Sequence, residues 1–142
     1  MRMSLYGATG VSVLSLLIAG VALAGTPSPP GARVYILAPA DGERVASPLV
    51  VKFGLQGMGV APAGVQRPKT GHHHLLVDAP AAPPMDRPLP ADAHHRHFGG
   101  GQTEARILLP PGRHRLQLIM GDARHVPHDP PVISEPVTVI VE

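Results

Sequence analysis

The sequence contains no cysteine and no tryptophan, and only two tyrosines and two phenylalanines among its 142 residues. Without thiols there are no disulfide staples, no thiolate nucleophile and no sulfur-ligated metal, so the fold rests on its core alone. So few rings leave little with which to build a carbohydrate-stacking surface. Beyond residue 24 the only serines are Ser28, Ser47 and Ser134, none in a Gly-x-Ser-x-Gly setting, which speaks against a serine hydrolase. Gly99-Gly100-Gly101 lacks the Gly-Lys-Ser/Thr ending of a phosphate loop and reads as a tight backbone turn. Lysine and arginine are scattered singly and the net charge is +2. That is not the basic patch nucleic-acid binding requires, and no nucleic-acid partner is expected.

The N-terminus carries one charge, Arg2, then an apolar run from Val11 to Leu23 that closes on Ala22-Leu23-Ala24. Positive start, apolar middle and small-residue exit describe a signal peptide over residues 1–24, cleaved after Ala24. An uncleaved anchor is the alternative, though Gly7, Gly10 and Gly20 weaken it as a permanent span. No cysteine follows to carry a lipid. The expected product is periplasmic or secreted, with no stable membrane insertion. Arg2 is the single charge removed, leaving 11 basic against 10 acidic residues.

Proline and histidine dominate what remains: all 18 prolines and all nine histidines lie beyond residue 24. Residues 25–32 (GTPSPPGA) read as a disordered Pro/Gly leader, and residues 33–142 as a single domain. No window keeps a helical period for three turns without meeting Pro or Gly. Alternation at period two recurs instead. It marks Arg33–Leu37, then Leu49, Val51, Phe53 and Leu55, then His73, Leu75 and Val77. It continues in Ala105, Ile107 and Leu109, in His114, Leu116, Leu118 and Met120, and in Val137, Val139 and Val141. Six such strands with Pro/Gly-rich turns predict an antiparallel, immunoglobulin-like β-sandwich, with a barrel as alternative. Ala79–Pro90 is a proline-rich crossover that cannot form a central strand.

Eight histidines fall in three groups, each beside a strand end: His72, His73 and His74; His94, His95 and His97; His125 and His128. In a sandwich whose paired strands run antiparallel, all three groups reach the same end of the molecule. Residues i and i+2 of an extended segment point the same way, about 6.6 Å apart. The candidate metal ligands are therefore His72, His74, His95, His97, His125 and His128. Asp122 and Glu104 are candidate carboxylates for orienting their rings. With no sulfur available, the donor set favours Cu(II), Zn(II) or Ni(II) over Cu(I). The expected function is a non-enzymatic copper- or zinc-handling module of the cell envelope. Its partners would be the metal ion and another envelope protein. Two alternatives stand beside it: a histidine network that staples the loops without a ligand, and a metal-dependent hydrolase with Glu104 or Asp122 as base. His114, at the opposite end among core leucines, reads as a structural hydrogen-bonder.

The runs GHHHLLVD, HRHFGGGQTE and LPPGRHRLQLIMGDARHVPHDPPVISE, with the earlier PADGERVASPLVVKFGLQGMGVAPAG, resemble a bacterial family of exported domains known as domain of unknown function 4399. The resemblance runs from about Val34 to Val141, and in the second group it falls on His95 and His97. It implies export and supplies no activity.

Overall fold

A computed structural model describes residues 25–142. The predicted signal peptide lies outside the described residues. Nine strands form: β1 (Arg33–Ala38), β2 (Arg44–Val45), β3 (Leu49–Gln56), β4 (Gly59–Val60), β5 (Thr70–Val77), β6 (His95–His97), β7 (Glu104–Ile107), β8 (Gly112–Gly121) and β9 (Val137–Val141). No helix occurs among the described residues, as expected of a chain punctuated so often by proline.

The strands make two sheets. One has the order β1-β3-β7, the other β2-β9-β8-β5-β4, with β6 also paired to β5. The alternating positions read from the sequence supply the layer between them. Leu49, Val51 and Phe53 of β3 and Ile107 of β7 meet Leu75 and Val77 of β5, Leu116, Leu118 and Met120 of β8, and Val139 and Val141 of β9. Each such side chain contributes roughly 1.5–3 kcal/mol by leaving water. The protein is an all-β sandwich.

The structure amends the sequence expectations in three places. Three short strands, β2, β4 and β6, join the six expected, and β2–β9 and β4–β5 pair in parallel. The segment 25–32 is not a disordered leader. Ser28 N–H donates to Asp129 O at 3.1 Å, Asp129 N–H returns to Thr26 O at 3.1 Å, and Thr26 N–H reaches the Asp122 carboxylate. A Cβ on Gly25 would sit 1.8 Å from Pro127 O, so only glycine lets the chain lie this close.

The third difference positions the site. β5 begins at Thr70, so the histidine triplet lies inside a strand and not on a loop rim. Its inner face (His73, Leu75, Val77) joins the sandwich core. Its outer face (His72, His74, Leu76) is covered as well: Leu76, Ile119 of β8 and Leu89 of the crossover form a second apolar cluster. Leu89 N–H donates to His125 O at 2.9 Å, tying the crossover to the turn after β8. His72 and His74 on this face are 0 % and 1 % exposed.

Candidate metal centre

The strand register decides which rings meet. β6 runs antiparallel to β5 with His97 opposite His74 and His95 opposite Leu76. His97 therefore stands on the outer face beside the two β5 histidines. His95 is displaced by two residues, about 6.6 Å, toward apolar Leu76. His125 arrives from the turn after β8. There the Asp122 Oδ1 accepts the Arg124 and Val126 N–H groups at 2.8 and 3.1 Å, and Asp122 O accepts His125 N–H at 2.9 Å. This tight loop holds His125 at φ 67°, a left-handed conformation uncommon outside glycine.

Four rings converge as a result. His72 Nε2 lies 2.9 Å from His74 Nε2 and 3.2 Å from His97 Nε2. The ligand atoms of His72, His74 and His97 all lie within 4.8 Å of one another, a grouping that could hold a metal ion. The His125 ring centroid is 4.6 Å from that of His97, 5.1 Å from His72 and 6.0 Å from His74. Two rings are buried on a strand, while His97 is exposed and His125 half-buried, so the cluster opens on one side.

Three of these rings, His72, His74 and His97, have lowered pKa values. Burial, helped by His97 and His125, lowers the His72 pKa to about 4, against a smaller raising effect of Asp122. Burial and the other three rings lower His74 to about 2. His97 is lowered by burial and by His125. Neutral imidazole is the ligating form. The Nδ1 atoms of His72 and His74 are buried with no hydrogen-bond partner among the described residues.

The remaining histidines do other things. His95 Nδ1 bonds to Asp92 Oδ1 at 2.8 Å and His94 Nδ1 to Val77 O at 2.8 Å. His128 is buried, its Nε2 3.1 Å from Thr70 O, so it fastens the turn to the start of β5. His95 and His128, both candidate ligands from the sequence, thus stand outside the cluster. His73 packs at 5.0 Å against Phe53 in the core, and burial lowers its pKa to about 4, opposed by the Gln102 backbone. His114 bonds Asp78 at 2.6 Å and Pro110 O at 2.8 Å at the far end of the sheet. Neither candidate carboxylate orients a ring. Asp122 is spent on Thr26 and on its own turn, and Glu104 is exposed on β7, paired in register with Lys52.

Sequence reasoning missed what makes room for the rings. A Cβ on Gly121 would lie 2.7 Å from His74 Nε2, and one on Gly99 would lie 2.3 Å from His97 Cε1. A Cβ on Gly71 would lie 2.6 Å from His128 Cε1. Each glycine gives its side-chain space to an imidazole. The available signal was a glycine within four residues of each histidine group, Gly71, Gly99 and Gly121.

An all-β sandwich bearing an imidazole cluster on the outer face of one sheet is thus the class of protein defined here. The chain belongs to the family described as "Domain of unknown function (DUF4399)", whose profile matches residues 51–142, a span that includes every ring of the cluster. No curated protein and no solved structure matches the chain.

Proposed function

We propose that this chain is a metal-binding module of the cell envelope, exported by its N-terminal segment, that holds a divalent copper or zinc ion on His72, His74, His97 and His125. The observation that carries this reading is the mutual approach of three imidazole nitrogens, two of them 2.9 and 3.2 Å from the third. Ligands about 2.05 Å from a tetrahedral zinc stand about 3.3 Å apart, close to the two short separations, and all three ligand atoms lie within 4.8 Å of one another. The lowered pKa values of His72, His74 and His97 favour the neutral, ligating ring, and the open His97–His125 side gives a route for entry and release.

The staple reading suits His114 and His128, whose ring nitrogens meet oxygen acceptors. The cluster differs, since the Nε2 atoms of His74 and His97 meet the His72 Nε2 instead of an oxygen. The hydrolase reading needs a carboxylate at hand as base, and the oxygens of Asp122 are already engaged. The test is titration of metal-free protein with zinc and with copper(II), beside metal analysis of protein recovered from its native compartment. One equivalent taken up, and lost when His72 and His97 are both replaced, is the expected result. No uptake of either ion overturns the reading.

A further inference from the structure

A pocket of about 370 Å³ adjoins the cluster, lined in part by Thr26, Gln66, Arg67, Thr70, Asp122 and Arg124. Both walls run on into the histidine site. Thr70 lies two residues before His72 on the same face of β5, about 6.6 Å along the strand. Asp122, Ala123 and Arg124 form the turn that ends in His125. The pocket offers the guanidinium of Arg67 and the amide of Gln66, groups that recognise oxyanions, while its hydroxyls are engaged, Thr26 donating to Asp122 and Thr70 to Arg67 O.

Its charge depends on the neighbouring site. The guanidinium of Arg67 makes no ion pair among the described residues, whereas Arg124 lies 3.5 Å from Asp122. That carboxylate already accepts hydrogen bonds from Thr26 N–H, the Thr26 hydroxyl, Arg124 N–H and Val126 N–H. Two arginines against one aspartate leave the pocket at +1. A divalent ion on neutral imidazoles brings no balancing ligand charge, so the pocket and the ion together carry an excess of +3. Arg67 and Arg124 are exposed, so water screens part of this excess, and a bound counter-ion offsets the rest.

We propose that this pocket binds a small oxyanion, of carboxylate, sulfate or phosphate chemistry, together with the metal ion, so that the two are taken up as a pair. The proposal rests on the metal reading above and adds to it the class of the second ligand. Linkage makes the coupling reciprocal: the ion raises affinity for the anion, and the anion raises affinity for the ion by the same factor.

The experiment is calorimetric titration of zinc-loaded and zinc-free protein with sulfate and, in a separate arm, with succinate. Arg67→Ala and Arg67→Lys are titrated in parallel, and zinc content is measured on every sample. At least one anion is expected to bind the zinc-loaded protein tenfold or more tightly than the zinc-free protein. Arg67→Ala should weaken that binding at least tenfold, and Arg67→Lys less. The two arms show whether the pocket prefers a tetrahedral oxyanion or a dicarboxylate. Zinc uptake without anion binding overturns the pocket proposal alone, as does anion binding indifferent to zinc or to Arg67→Ala. Absence of zinc uptake overturns both.

Discussion

His74 Nε2 lies 2.9 Å from His72 Nε2 on one face of a single strand, while the Nδ1 of each ring is buried and unpaired among the described residues. Each such atom costs about 1–3 kcal/mol whether or not an ion sits on the Nε2 atoms, as do both unpaired nitrogens of His73 in the core. Replacing His74 with leucine removes a ligand and a buried polar group at nearly constant volume. Metal affinity should fall at least tenfold, while the metal-free protein keeps its stability or gains about 1 kcal/mol. Chemical denaturation and a zinc competition assay read the two effects separately. Intact metal uptake with stability lowered by about 1–3 kcal/mol would favour the staple instead.

The pH dependence of metal-free stability follows from the same burial. His72 and His73 are lowered to about 4 and His74 to about 2, whereas unfolded histidine titrates near 6.5. Between those values the unfolded chain binds protons that the folded chain refuses, so stability falls as pH drops below about 6.5. Each ring contributes up to about 1.4 kcal/mol per pH unit while the difference lasts. Urea melts of metal-free protein from pH 8 to pH 5 measure the slope, and a flat profile would mean the rings are not buried as described.

His114 acts in the opposite sense. Its hydrogen bond to Asp78 raises its pKa, with Pro110 O adding to the effect against the pull of burial. Asp78 is lowered: burial works to raise it, and the bonds from His114 and Arg115 N–H outweigh that. The stabilisation from His114 is fully present below about 6.5 and is lost as pH rises through its higher folded value. That from Asp78 is present above the usual carboxylate range and is lost on acidification. Metal-free protein should therefore be most stable near neutrality. An NMR titration should place His114 above the ordinary histidine value, and Asp78→Asn should bring it back down. A His114 titration unaffected by Asp78→Asn would show that the pair is not formed.

The six long strands were legible because each keeps one apolar face, as Leu49, Val51 and Phe53 do. The two- and three-residue strands β2, β4 and β6 were not, since they exist only through pairing with β9 and β5. That three histidine groups approach one another followed from chain order. Which ring of each group enters the cluster did not, because it depends on the β5–β6 register and on the Asp122 turn. The burial of His72 and His74 was also invisible, as the rings packed against them include His97 and His125, both distant in sequence. Local alternation reports which way a side chain points. It does not report what will lie on top of it.

Gly121 provides the sharpest test of the geometry. It ends β8 opposite His72 in register, and a Cβ there would stand 2.7 Å from His74 Nε2, 3.1 Å from His74 Cδ2 and 3.4 Å from His125 Cα. The His74 ring cannot retreat freely, since the His72 and His97 centroids lie 4.7 and 5.0 Å away. Gly121→Ala must therefore push His74 Nε2 out of line with its neighbours or shift the backbone, at a cost of about 1–3 kcal/mol. A ligand atom displaced by half an ångström loses good coordination geometry, so zinc affinity should fall at least tenfold. Gly59→Ala is the control, because its added methyl would meet the Thr70 Cγ2 at 3.5 Å and Lys69 O at 4.0 Å, both ordinary contacts. Competition with a chromophoric chelator, beside thermal melts of both metal-free variants, checks the expectation. Wild-type zinc affinity in Gly121→Ala would show that the ion, if bound, does not use His74 Nε2.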